Sequence, residues 1–210
     1  MAADFVPIRS LDAEHRPGIL RHLLSLDVQD RYLRFGYIAT DEQVTRYVDA
    51  IDFDRDEVFG IYNRRLELIA MAHLAFSHGS TSADCAEFGV SVRRKVRGRG
   101  YGKRLFDRAV VNARNEGVDL LFIHALSENA AMLSIARKAG ASFEREGSET
   151  EGRLRLPPAT LDSRVGELMD EQIAHADYHL KVRVRNVRRF LDGVQEIRDG
   201  VREARRKSGQ

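Results

Sequence analysis

The apolar positions of this chain change period several times, and each change marks an element. Phe5 to Ile8 reads as a short opening strand. From Glu14 to Leu26, Ile19, Leu20, Leu23 and Leu24 recur at helical spacing. A second, irregular helical stretch runs through Tyr32, Leu33 and Phe35. Asp41 is placed to cap a third helix, with Val44, Tyr47, Val48 and Ile51 on its apolar face. The period then shortens. Val58 to Tyr62 and Leu66 to Phe76, joined by Asn63-Arg64-Arg65, predict a β-hairpin with long arms. Glu87 to Val92 is another strand, entered from the polar loop Ser77 to Asp84. A helix after Gly102 carries Leu105, Phe106, Ala109 and Val110 on one side and ends near Gly117. Leu120 to Ala125 reads as a buried strand, and Asn129 to Ala139 as a helix stopped by Gly140. Phe143 to Arg145 and Arg153 to Leu156 pair back across the loop from Gly147 to Gly152. This order predicts an α/β fold: a mixed, largely antiparallel sheet flanked by helices.

Pro157-Pro158 marks a boundary, since a proline pair continues neither a strand nor a helix interior. The expected organisation is one domain over 1–156 and a helical C-terminal extension over 157–210, with Thr160 as a cap. Leu180, Val184, Val187, Leu191, Val194 and Val201 alternate by four and three, apart from Arg198. Such a seam is buried either on its own domain or in a homodimer through the C-terminal helix. The alternation Leu180, Val182, Val184 also fits a short strand.

Composition narrows the class. A chain of 210 residues with 43% hydrophobic content is long enough for one sizeable core. The net charge of +2 names no acidic partner. Two local runs, Arg93 to Arg104 and Lys181 to Arg189, are basic, and the second reads as a solvated face. Cys85, the one cysteine, offers neither a disulfide nor a metal-ligand spacing. No signal-peptide layout and no membrane-spanning run are present, so a cytoplasmic location without membrane or metal is expected.

The informative stretch is Val90-Ser91-Val92-Arg93-Arg94-Lys95-Val96-Arg97-Gly98-Arg99-Gly100-Tyr101-Gly102-Lys103, where a strand gives way to a helix. The amides of such a turn and the helix N-terminus favour an anion. Glycines at 98, 100 and 102 let the backbone approach a pyrophosphate, and the arginines supply positive charge. A dinucleotide fingerprint fails because Lys103 stands where its third glycine belongs. A Walker loop fails because Arg97 and Arg104 replace its first glycine and its hydroxyl.

The motif Arg97-Gly98-Arg99-Gly100-Tyr101-Gly102 resembles the R-x-x-G-x-G loop of the GNAT acetyltransferase superfamily. Asn129 opens a helix ending Arg137-Lys138-Ala139-Gly140-Ala141, similar to that family's second motif. Ala86-Glu87-Phe88-Gly89-Val90 is also similar to bacterial protein-lysine acetyltransferase domains. The resemblance covers about residues 5 to 156. It implies acetyl-CoA as acyl-donor cosubstrate, with pyrophosphate on Arg97 to Lys103, the pantetheine arm on the backbone of Val90, Ser91 and Val92, and Asn129 at the binding groove. It also implies transfer to a primary amine, of a protein lysine or a small molecule.

That chemistry needs a neutral amine, and a lysine of pKa about 10.4 is almost wholly protonated at pH 7. Glu87, on the strand carrying Val90, is the expected general base; its alternative is a surface-facing glutamate. A backbone N–H of the strand, that of Val90, is the expected donor to the thioester oxygen. The family's acid, a tyrosine, falls at Ala136, which has no hydroxyl; Ser134, His124, Tyr101 or solvent are the substitutes. Tyr32, Phe35 and Tyr37 either wall the acceptor site or pack in the core. Two other classes stand beside the enzyme: an acyl-CoA-binding regulatory module whose C-terminal helix engages a partner, and a nucleic-acid binder. The second lacks aromatics interleaved with its charges, and no nucleic acid is expected.

Overall fold

Among the described residues up to 160, the hydrophobic periods resolve into five α-helices around one seven-stranded sheet. A computed structural model describes residues 6–77, 85–147, 149–160, 166–167, 169–170, 172–174 and 177–178. The elements run β1 Arg9–Leu11, α1 Arg16–Leu24, α2 Val28–Phe35, α3 Asp41–Asp49, β2 Glu57–Tyr62, β3 Leu68–Ser77 and β4 Cys85–Val92. They continue α4 Tyr101–Asn115, β5 Leu120–Leu126, α5 Ala130–Lys138, β6 Ser142–Glu146 and β7 Glu149–Arg155. The sheet order is β1-β2-β3-β4-β5-β7-β6, antiparallel throughout except where β4 meets β5. The expected mixed, largely antiparallel sheet flanked by helices is therefore the fold.

Strand alternation sends side chains to two faces. On one, Ile19 and Leu23 of α1 and Val44 and Val48 of α3 bury Val58, Leu68 and Met71. On the other, Leu105, Phe106 and Ala109 of α4 and Met132 and Ala136 of α5 bury Ala70, Ala72, Leu74, Phe88, Leu121 and Ile123. β4 is central in the sheet and sends Ala86 and Phe88 into the second of these cores.

Three local readings are corrected. The first strand is Arg9–Leu11 rather than Phe5 to Ile8, because Arg9, Ser10 and Leu11 pair with Gly60, Phe59 and Val58, while Val6 and Ile8 pack on the core without a ladder. The cap of α3 is Thr40, not Asp41: Thr40 accepts from the Gln43 amide and Gln43 answers to the Thr40 amide, a reciprocal box that an aspartate at 41 cannot form. Gly152 lies within β7 rather than in a loop, packed so that a Cβ there would stand 3.1 Å from the Phe143 ring.

α1 is tied to the central strands by a buried histidine. His22 Nδ1 donates to the Leu68 carbonyl at 3.0 Å, which leaves Nε2 to accept the Ser91 hydroxyl at 2.8 Å. Burial pushes His22 down from 6.5 to about 4. A folded value below the unfolded one means that protonation favours unfolding. The stabilisation is complete above pH 6.5 and is lost as pH falls towards 4, an effect of about 3 kcal/mol. Urea titrations should show His22→Asn less stable than the parent at pH 7, with the gap closing between pH 6.5 and 4. A gap independent of pH in that window would mean that His22 does not titrate there.

Past Pro158, the described residues between 166 and 178 are helical and fold back on the domain. Glu167 accepts from Asn112 at 2.9 Å and from Asn115, and pairs with Arg108 at 3.5 Å. Tyr178 packs edge-on to Tyr62 beneath the Arg9 guanidinium. The seam from Leu180 to Val201, on which a homodimer was expected, lies outside the described residues. Among the described residues no helix is long and apolar enough to cross a membrane.

Candidate active site

A central sheet must part somewhere if a ligand is to reach its backbone, and here it parts between β4 and β5. The two pair in parallel only over Cys85–Glu87 and Leu120–Phe122. β4 meanwhile stays paired with β3 as far as Val92, without a bulge. The Arg93 amide donates to Ile69 on β3. Backbone groups of successive strand residues point to opposite edges, so the amides of Val90 and Val92 face the edge that β5 has left. Arg97 Nε donates to the Val92 carbonyl from that side at 3.2 Å, as this orientation requires.

Two cavities open on the parted strands. The smaller, of about 430 Å3, lies between the turn after β4 and α5 and is bordered by Val90, Ser91, Val92, Arg97, Gly98, Gly100, Tyr101, Gly102, Lys103 and Asn129. The larger, of about 690 Å3, is bordered by Glu87, Gly89, Tyr47, Phe35, His124 and Glu151 among others. They share Leu33, Arg34, Val90, Asn129 and Met132. One continuous channel therefore passes Val90.

The glycine turn is built for its shape. Gly98 and Gly100 hold φ of +75° and +77°, the left-handed region that side chains disfavour. Gly102 sits in α4, where a Cβ would meet Ile135 of α5 at 3.5 Å. Gly100 caps α4 without a side chain, so no side chain occupies the donors of the first turn. The surrounding positive charge is partly neutralised: Arg94 pairs with Asp27 at 3.0 Å and Lys103 with Asp107 at 2.5 Å. Arg97 pairs at 2.6 Å with Asp30, whose side chain is 4% exposed. Its guanidinium thus pins the turn to α2. Lys95, Arg99 and Arg104 make no ion pair among the described residues.

Asn129 has two structural tasks. Its Oδ1 accepts from the Met132 amide, capping α5, and its Nδ2 reaches the Leu33 carbonyl of α2 at 3.5 Å. It thereby holds the channel's waist.

Glu87 is exposed into the larger cavity on a central strand, and makes no hydrogen bond or ion pair among the described residues. Ser134 and Tyr101 line the smaller cavity and His124 the larger. Ala136 is fully buried in the core. Of the three aromatics, only Phe35 borders the larger cavity; Tyr37 is half-exposed and touches the Phe35 ring. Cys85, at the start of β4, is a free thiol.

Sequence reasoning missed a chain of polar side chains beneath the larger cavity. Asp56 accepts from His73 Nε2 at 2.9 Å, His73 Nδ1 accepts from the Tyr47 hydroxyl at 2.7 Å, and Tyr47 accepts from Arg34 Nη2 at 2.6 Å. Burial holds His73 below its ordinary value against the opposing pull of Asp56. Burial raises Tyr47, opposed by Arg34. The chain ends where Arg34 lies over Gly89, so closely that a Cβ there would come within 2.5 Å of its guanidinium. Among the described residues there is no cluster of three His, Cys, Asp or Glu suited to a metal ion.

Comparison with known proteins agrees with this architecture. Residues 6–142 match the acetyltransferase (GNAT) domain family. The GNAT domain of S. lividans PAT superposes with a TM-score of 0.61 at 19% identity, covering 71% of this chain and 89% of that one. Ribosomal-protein-alanine N-acetyltransferase from Brucella melitensis gives 0.54 at 16%, covering 71% and 99%. A cAMP-binding acyltransferase from Mycobacterium smegmatis gives 0.51 at 22%, covering 80% of this chain but only 50% of its own. With its parted β4 and β5 and its matching sequence, the chain belongs to the GNAT acetyltransferase family.

Proposed function

We propose that the chain transfers the acetyl group of acetyl-CoA to a primary amine, a protein lysine or a small amine, by direct attack. The observation that carries this reading is the free edge of β4, whose Val90 amide lies where the two halves of the channel meet. The smaller half, with a helix N-terminus that no side chain caps and the turn Arg97-Gly98-Arg99-Gly100-Tyr101-Gly102-Lys103, suits a pyrophosphate. Val90 and Val92 then offer backbone to the pantetheine arm from the open edge, with Asn129 at the waist, whereas the backbone of Ser91, expected to join them, pairs with Met71 of β3. The larger half receives the amine beside Glu87. Glu87 takes the proton that frees the nitrogen lone pair, and the Val90 amide donates to the thioester oxygen as negative charge builds on it.

Calorimetry with acetyl-CoA, followed by thiol release with free lysine, a lysine peptide or spermidine, tests the reading. Binding and amine-dependent release are expected. Tight binding with no release above the amine-free rate for any of the three would instead favour a regulatory acyl-CoA-binding module.

A further inference from the structure

Five residues border both halves of the channel, and Arg34 is the only charged one. It has no carboxylate partner among the described residues, although it is half-buried. A guanidinium so placed is a strong and persistent positive charge with donors to spare, since Tyr47 takes only one of its five. A guanidinium acts here as a fixed charge and hydrogen-bond donor rather than as an acid. Its orientation is fixed from below by Tyr47, His73 and Asp56, so it needs little reorganisation when charge appears beside it.

Resting on the acetyl-CoA reading above, we propose that Arg34 is a catalytic residue. It stabilises the negative charge on the thioester oxygen and then on the departing thiolate, in place of a general acid. The amine nitrogen bonds to the carbonyl carbon, and the carbonyl π pair moves to oxygen. That pair returns as the C–S bond breaks, and the bonding electrons leave on sulfur. The nitrogen sheds its extra proton to solvent, Glu87 having already taken the one that freed the lone pair, and the thiolate leaves unprotonated beside the guanidinium. A hydroxyl on α5 is then unnecessary, which accounts for Ala136. Tyr47, His73 and Asp56 are positioning residues that act through Arg34.

The thiol of bound CoA reports on this charge without any acceptor. Thiolate absorbance in the ultraviolet, followed against pH, should show bound CoA titrating about one unit or more below free CoA in the parent chain. Arg34→Gln should lose that shift while still binding CoA, and Arg34→Lys should keep part of it. Glu87 acts in the opposite direction, and His124 carries charge only when protonated. Both are present in every variant, so the comparison isolates residue 34. Turnover at pH 7 with the best acceptor of the panel should fall tenfold or more in Arg34→Gln, with little change in the acceptor KM. Tyr47→Phe should show a smaller loss in the same parameter, because the fork loses its anchor but not its charge. Equal thiol titration in the parent and Arg34→Gln would overturn the proposal, as would a defect confined to the acceptor KM. Absence of CoA binding by the parent chain would instead overturn the acetyl-CoA reading beneath it. Circular dichroism melts of each variant separate unfolding from loss of charge, and Arg34→Lys supplies the folded comparison if Arg34→Gln is unstable.

Discussion

Replacing Glu87 by glutamine is expected to slow acetyl transfer 100-fold or more at pH 7 while leaving the affinity for acetyl-CoA unchanged. The amide keeps the size of the carboxylate and deletes its capacity to take a proton. An amine of pKa about 10 is neutral in only about one molecule in a thousand at pH 7, so the base matters most there. As pH approaches the amine's own value, solvent does the same work and the deficit should shrink. Glu87 leans on no neighbour: it forms no hydrogen bond or ion pair among the described residues, so its loss should not disturb packing. Steady-state rates from pH 7 to 10, beside calorimetry with acetyl-CoA, provide the check. Equal rates for the two proteins at pH 7 would return Glu87 to the role of a surface glutamate.

The place of Glu87 in the larger cavity was readable because everything that marks it is local. Glu87 sits three residues before Val90 on a strand whose alternation and turn are written in one stretch of sequence. The glycine turn was readable for the same reason: left-handed backbone at residues 98 and 100 demands glycine, and that demand leaves a letter behind. Arg34 left none. It precedes Gly89 by more than fifty residues, and only the docking of α2 over β4 brings its guanidinium onto that backbone. Gly89 carries the trace of the contact, but a glycine inside a strand has several causes. His22 and Ser91 are likewise strangers in sequence, joined by the packing of α1 on the sheet. The Thr40 cap was missed for a different reason. Thr40, Asp41 and Gln43 all suit a helix start, and only the reciprocal Thr40–Gln43 bonds decide among them.

Part of the charge around the turn is already engaged within the chain. A run of arginines and lysines suggests side chains reaching for phosphate, yet Arg94, Arg97 and Lys103 are engaged with Asp27, Asp30 and Asp107. On the proposed reading, an anion at this place is then met by backbone donors together with Lys95, Arg99 and Arg104, which make no ion pair among the described residues. That division decides which substitution is most damaging: one that alters the backbone, or occupies its amides, outweighs the loss of a single basic side chain.

Gly100→Asp does both, and it should abolish measurable binding of acetyl-CoA. Gly100 is the N-cap of α4 at φ +77°, where a side chain costs about 1–2 kcal/mol. No atom lies within 4 Å of a Cβ placed there, so the chain has room for the substitution and the fold should survive. Aspartate is also among the best helix caps, and its carboxylate can accept from the first-turn amides, offsetting part of that strain. The same bonds defeat binding, for they occupy the donors the pyrophosphate needs and set a negative charge against it. The variant should therefore melt within a few degrees of the parent and yet show no heat on titration with acetyl-CoA. Gly100→Ala separates the two effects, since it carries the backbone strain without the charge, and should weaken binding without removing it. A folded Gly100→Asp protein that binds acetyl-CoA as the parent does would move the pyrophosphate off the turn between Arg97 and Lys103.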